Sequence, residues 1–199
     1  VLAPSLVKEL THYKVLEEAK MNKTRMKGKC MKKTRIFAIS GFSGSGKTTL
    51  LSKLVEGLRK DMNSVAVIKS SKDDVLAPSG TDTRYHQDAG ADPVVLLGPN
   101  TTTIRYRARK DLIEIFSEMN TDYILLEGFK QYNIPRFWCI GNKEEIPHSS
   151  SENIKAIVKW NKSEEGVDSN QTPIIMIDEV ETLLDIVKKE AILLNEFEL

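Results

Sequence analysis

A three-layer α/β domain with a mostly parallel sheet is predicted by three observations. Apolar, β-branched runs alternate along the chain with segments of helical periodicity, the pattern of strand–helix–strand crossovers with helices on both faces. A glycine-rich octet stands between the first such strand and the first such helix, at residues 41–48. Further on, the apolar run Tyr123 to Leu126 ends in an acid, Glu127. At 199 residues the chain is long enough to bury one real core. The domain is expected over residues 35–199, preceded by a basic extension, 1–34.

The first strand is Ile36 to Ile39, and the octet that follows is Gly41-Phe42-Ser43-Gly44-Ser45-Gly46-Lys47-Thr48. It fits G-x-x-x-x-G-K-[ST], the phosphate-binding loop (P-loop) of nucleotide hydrolases and kinases. Glycines here let the backbone turn with positive φ and close its N–H groups on a phosphate. Lys47 supplies a point charge for the β- and γ-phosphates, and the Thr48 hydroxyl is a ligand for Mg²⁺. Leu50, Leu51, Leu54, Val55 and Leu58 then share one face of a helix, whose N-terminus favours an anion. A nucleotide-binding domain of the P-loop NTPase class follows. The expected contacts are Gly41, Ser43, Gly44, Ser45, Gly46, Lys47, Thr48 and Thr49.

Next comes a buried parallel strand, Ser64 to Lys69. Residues 69–74, KSSKDD, leave its carboxyl end, where open α/β sheets bind ligands. Asp73 and Asp74 read equally as helpers of Mg²⁺ and as a solvated pair. Thr81 to Gly90 predicts a short helix stopped by Gly90. Pro93–Leu97 and Thr101–Tyr106 predict strands that can form a hairpin, and Asp111–Phe116 a helix ended by Asn120. Glu127, at the end of the Tyr123–Leu126 run, has the Walker-B arrangement, a carboxylate across the crevice from Thr48 and near Mg²⁺ or the attacking water. Strands are expected at Arg136–Ile140, Ile154–Val158 and Pro173–Ile177. A closing helix is expected over Val180–Leu194, with Leu183, Leu184, Val187 and Ile192 inward. Asn161-Lys162-Ser163-Glu164 and Gly141-Asn142-Lys143 are two candidate base readers, resembling N-K-x-D.

The remaining features exclude more than they assign. Net charge is +1, so no global field points to nucleic acid or a membrane. Residues 21–35 carry seven Lys/Arg and no acid. Without interleaved aromatics this stretch reads as a solvated arm, behind a helical pattern over Ser5–Ala19, and nucleic-acid binding is not expected. Cys30 and Cys139 make no disulfide framework, so a cytoplasmic setting is expected. No apolar stretch approaches the ~20 residues that span a bilayer, and no signal peptide is expected. His12, His86 and His148 lack metal-ligand spacing.

Four stretches in this order resemble one family: GFSGSGKTTLLSKL, VAVIK, Asp82-Thr83-Arg84-Tyr85-His86-Gln87-Asp88-Ala89-Gly90-Ala91, and Ile124 to Lys130. The chain is similar over about residues 33–190 to the molybdopterin-guanine dinucleotide biosynthesis adapter proteins, the MobB family. The resemblance implies a dimeric, GTP-binding adapter with weak GTPase activity. Such a protein assists the guanylyltransferase that attaches GMP to molybdopterin, and works among molybdopterin-handling proteins. It implies that Gly44, Gly46, Lys47, Thr48 and Thr49 hold the phosphates and Mg²⁺, with Asp82 and Glu127 toward the γ-phosphate as catalytic candidates. One departure stands out: where the family has a His-rich stretch beginning K-H, this chain has Lys69-Ser70-Ser71-Lys72-Asp73-Asp74. The alternative from the residues alone is a nucleoside or small-molecule kinase, with Arg105, Arg107 and Arg109 as a lid.

Overall fold

The structure is a computed structural model that describes residues 33–141, 153–160 and 172–197. The expected helix over 5–19, the arm before residue 33, both Asn-Lys candidates, Cys30, His12 and His148 lie outside these residues. In chain order the elements are β1 (Arg35–Gly41), α1 (Lys47–Lys60), β2 (Val65–Lys69), α2 (Asp82–Asp88), β3 (Val94–Leu97), β4 (Thr102–Arg105) and α3 (Leu112–Glu118). Then follow β5 (Tyr123–Glu127), β6 (Arg136–Ile140), β7 (Ile154–Lys159), β8 (Ile174–Met176), α4 (Val180–Glu190) and β9 (Ile192–Leu193). The described residues divide into two compact units, one holding Ser71–Met119, the other 33–70 with the described residues from 120 onward.

The second unit carries the parallel sheet, in the order β2-β5-β1-β6-β7-β8. Continuous apolar runs make the central strands because both faces are covered. β2, expected to be buried, instead lies at the end of the sheet order, with none of its residues buried and Val67 43% exposed. Every residue of β5 and β6 is buried. The side-chain period of two splits β1 cleanly. Phe37 and Ile39 join Leu125, Phe137 and Val158 against α1 and α4, and Trp138, Ile140, Ile154 and Ile157 cluster among themselves on the other parity of the strands. Leu50, Leu54 and Leu58 of α1 are fully buried, each contributing about 1.5–3 kcal/mol relative to exposure. Gly57 lets α1 and α4 approach, since a Cβ there would stand 2.3 Å from Leu184 Cδ1.

The closing helix is shorter than its periodicity predicts. It ends at Glu190, and Ala191 is extended at φ −62°, ψ 125°. Ile192 and Leu193 instead pair antiparallel with Ile36 and Arg35. β6 begins its pairing with β1 only at Ala38, so the lower edge of β1 is open to β9. Arg35 Nη1 donates to the Ala191 carbonyl at 3.1 Å, and Leu194 N to Thr34 O at 2.8 Å. Backbone pairing of a sheet edge overrides the helical pattern.

In the first unit β3 and β4 form a hairpin, a two-stranded sheet of its own, with Val94 opposite Arg105 and Leu97 opposite Thr102. Thr81 caps α2 by accepting from Arg84 N, and Gly90 stops the segment at φ 107° as expected. Asp111 caps α3 through Glu114 N at 2.8 Å.

Candidate functional site

The octet connects β1 to α1 at the carboxyl end of the parallel sheet. Its backbone needs glycine: φ is 142° at Gly41, 81° at Gly44 and 85° at Gly46, the last being the N-cap of α1. A Cβ at Gly41 would lie 2.4 Å from the Cys139 carbonyl oxygen of β6, so the loop leaves the sheet in direct contact with it. Ser45 is turned inward, and its hydroxyl donates to Phe42 O at 2.9 Å, closing the loop's own turn. The Lys47 ammonium donates to the same Phe42 carbonyl.

A concavity of about 390 Å³ opens over this turn, and Ser43, Gly44, Gly46, Lys47, Thr48 and Thr49 line it together with Glu127, Lys69 and Trp160. Parallel register brings the charges together. Glu127 stands opposite Ile39 on one side and Lys69 on the other, and Glu127 and Lys69 are the last residues of their strands. The Glu127 Oε1 atom accepts from Thr48 Oγ1 at 3.2 Å and pairs with Lys69 Nζ at 3.0 Å. The carboxylate is buried while Lys69 is well exposed, so the pair has one foot in solvent. A threonine hydroxyl and a single carboxylate are hard oxygen donors. They suit Mg²⁺, which takes one or two carboxylates and fills the rest with water and phosphate oxygens. Among the described residues no group of three or more His, Cys, Asp or Glu could form an all-protein metal cage.

Two further residues have no counterpart in the motif. Trp160, directly after β7, donates Nε1–H to Ser45 O at 3.3 Å and packs on Gly46. Arg136, at the start of β6 and only 3% exposed, holds the segment after Glu127. Its guanidinium donates to Ile134 O at 3.1 Å, Phe129 O at 3.3 Å, Lys130 O at 3.1 Å and to Tyr132 O. It also reaches Ser40 Oγ, which donates to Gly128 O at 2.7 Å. Gly128 and Phe129 both take positive φ there, 102° and 47°. Burial pulls the guanidinium below its ordinary pKa, and the ring of carbonyl dipoles offsets part of that cost.

Of the sequence-predicted residues, the structure brings together the loop, Thr48 and Glu127. Asp82 belongs to the other compact unit, exposed in the first turn of α2. Asp73 and Asp74 are exposed in that unit too, where Arg105 donates to the Val75 carbonyl at 2.8 Å.

Comparison with known proteins gives this geometry a family. Residues 36–160 match the family described as molybdopterin guanine dinucleotide synthesis protein B. The chain is 36% identical over 107 residues to the molybdopterin-guanine dinucleotide biosynthesis adapter protein of Haemophilus influenzae, covering 51% of this chain and 60% of that one. A Methanocaldococcus jannaschii protein provisionally named for the same adapter role is 33% identical over 118 residues, 55% of this chain. The match spans about half of that protein's own length, 49%. In three dimensions the chain is similar to Bacillus subtilis MobB, with a TM-score of 0.63 at 26% identity over 79% of this chain and 97% of that one. Among the described residues no helix is long and apolar enough to cross a membrane. Its phosphate loop, its parallel sheet and a match over more than half its length agree, and the chain belongs to the MobB family.

Proposed function

We propose that this chain binds GTP with Mg²⁺ at the phosphate loop and turns it over slowly at most. It serves as the adapter for the guanylyltransferase that attaches GMP to molybdopterin. The observation that carries the reading is the meeting of Thr48, Glu127 and Lys69 over a glycine-built anion loop. Family membership supports the pathway.

The loop amides and the N-terminus of α1 receive the phosphates, whose charge the helix dipole favours. The Lys47 ammonium exchanges the Phe42 carbonyl for β- and γ-phosphate oxygens, a charge-assisted bond in place of a neutral one. Thr48 and Glu127 would hold Mg²⁺, which would supply positive charge against the phosphates. Glu127, paired with Lys69, orients water; Asp82 stands as the second catalytic candidate. Among the described residues no arginine lines the cavity, so the charge that develops in phosphoryl transfer has no finger from them, in keeping with slow turnover. A partner or a second copy then acts as activator.

The chain works as a homodimer in the cytoplasm, alongside molybdopterin-handling proteins. Val95, Leu96 and Ile104 on the β3–β4 hairpin are about half exposed, an apolar strand surface that a second copy can cover. The decisive experiment is calorimetric titration of the chain with GTP and ATP in Mg²⁺, paired with an assay of guanylyltransferase stimulation. A preference for GTP together with stimulation is expected. A preference for ATP with no stimulation overturns the proposal.

A further inference from the structure

The cavity is not symmetric about the phosphate loop. The loop follows β1; Lys69 and Glu127 come from β2 and β5 on one side of that strand, and Trp160 follows β7, two strands away on the other. From β5 to β7 is three strand spacings, or about 14 Å at about 4.8 Å each. One wall is therefore ionic and the other aromatic, with the glycine loop between them.

Trp160 is built as a surface rather than as core. The sequence has two tryptophans, and the other, Trp138, is wholly buried, whereas Trp160 is 42% exposed. Its orientation is nevertheless fixed. The indole N–H is held by Ser45 O at 3.3 Å, and a Cβ at Gly46 would fall 1.7 Å from Nε1, so the ring edge lies on the glycine backbone. A pinned ring with free area beside a phosphate site is an aromatic platform. A purely inorganic anion has no use for one, and a nucleobase does, because every base has a π-face that stacks on an aromatic ring.

We infer that Trp160 is the base-stacking wall of this site: the nucleobase lies on the indole while the phosphates occupy the loop and the terminal phosphate points toward Glu127. The inference rests on the nucleotide reading proposed above and adds the direction in which the nucleotide lies and the residue that holds its base. Lys47 and the loop amides bind any polyphosphate; Trp160 makes the site prefer one that carries a base.

The test separates the two contributions. Dissociation constants for GTP and for inorganic tripolyphosphate are measured in Mg²⁺ with the full chain, Trp160→Ala and Trp160→Phe. For Trp160→Ala the GTP constant is expected to rise about 5- to 100-fold while that for tripolyphosphate stays within about 2-fold. Trp160→Phe, which keeps a ring and loses the N–H, is expected to retain most of the GTP affinity. In the unsubstituted chain GTP, and not tripolyphosphate, is expected to shield the exposed indole from acrylamide quenching. Equal losses for both ligands, or no loss for GTP, overturn the inference and leave Trp160 as a brace for the loop. If the unsubstituted chain binds neither ligand, the nucleotide reading itself fails, a result distinct from the other two.

Discussion

Thr48 donates its hydroxyl to Glu127 at 3.2 Å, although 79 positions separate them in the chain. The contact exists because β1 and β5 run parallel in register, so that the strand ends deliver loop and acid to the same place. Glu127→Gln keeps the shape and removes the charge. Its Lys69 partner is exposed enough to be solvated alone, so stability is expected to change by less than about 1 kcal/mol. On the proposed function, in which the carboxylate holds Mg²⁺, the Mg²⁺-dependent part of GTP affinity is expected to fall about 10-fold or more. Titrations with and without Mg²⁺, beside urea denaturation, check both halves.

In the proposed function Lys47 makes the phosphate contact without carrying the fold. Among the described residues its ammonium donates only to the Phe42 carbonyl of the same loop. Lys47→Ala is expected to weaken GTP binding by about 10- to 100-fold, the loss of a charge-assisted hydrogen bond of about 1.5–3 kcal/mol. Melting temperature without nucleotide should hold within about 2 °C. Unchanged affinity would remove the basis of the proposed function.

Much of this was legible in the sequence, because the relevant signals are local. The octet fixes a backbone shape through Gly41, Gly44 and Gly46, and period-two or period-3.6 burial marks the strands and helices around it. What stayed hidden depends on which elements become neighbours. Lys69 is an ordinary residue at a strand end until β2 pairs with β5 and sets it opposite Glu127. Ile192 continues a helical pattern, and only the open edge of β1 draws it into a strand. Trp160 sits at the edge of the Asn161-Lys162 stretch with no pattern of its own. Arg136 did leave a trace, a lone cation opening the apolar run of β6, but its acceptors are backbone carbonyls that no sequence displays.

The glycines of the loop are not equivalent. An alanine at Gly41 meets both a φ of 142° and the Cys139 carbonyl at 2.4 Å, a backbone atom held in the sheet. An alanine at Gly44 meets only a φ of 81°, with nothing within 4 Å. Gly41→Ala is expected to cost about 2–3 kcal/mol, and Gly44→Ala about 1 kcal/mol. Thermal unfolding of both variants without nucleotide tests the order, and equal losses would contradict it.

Lys188 ties α4 to the end of α1 through Asp61 at 2.7 Å. The hydrogen bond to Asp61 raises the Lys188 pKa above its ordinary value, against a small opposing effect of burial. A cation whose folded pKa is raised stabilises fully below the unfolded value, about 10.4, and loses that stabilisation as pH rises through the folded one. Both side chains are more than a third exposed, so Lys188→Met is expected to cost less than about 0.5 kcal/mol at neutral pH. The difference from the unsubstituted chain should be flat up to about pH 10 and shrink above it. Urea denaturation across that range reads it, and a difference that grows with pH would count against the pair.

Arg136 is expected to matter for both stability and turnover. Its guanidinium serves the carbonyls of Phe129, Lys130, Tyr132 and Ile134, and through Ser40 that of Gly128. These are the groups of the segment that leaves β5 directly after Glu127, bent by two successive residues at positive φ. Arg136→Met fills the space and removes the guanidinium donor from these carbonyls, of which Phe129 O and Tyr132 O keep the N–H groups of Tyr132 and Ile134, at a cost of about 2–4 kcal/mol. Arg136→Lys restores charge but not the planar fork that reaches several acceptors at once, so it should recover less than half of that loss. If the fork also steadies Glu127, GTP turnover falls in both variants while the dissociation constant for tripolyphosphate, set by the loop and Lys47, stays within about 2-fold. Denaturation, turnover and hydrogen exchange over residues 128–134 separate the two effects. Normal stability in Arg136→Met would mean that water replaces the guanidinium. Lost stability with intact turnover would confine Arg136 to the fold.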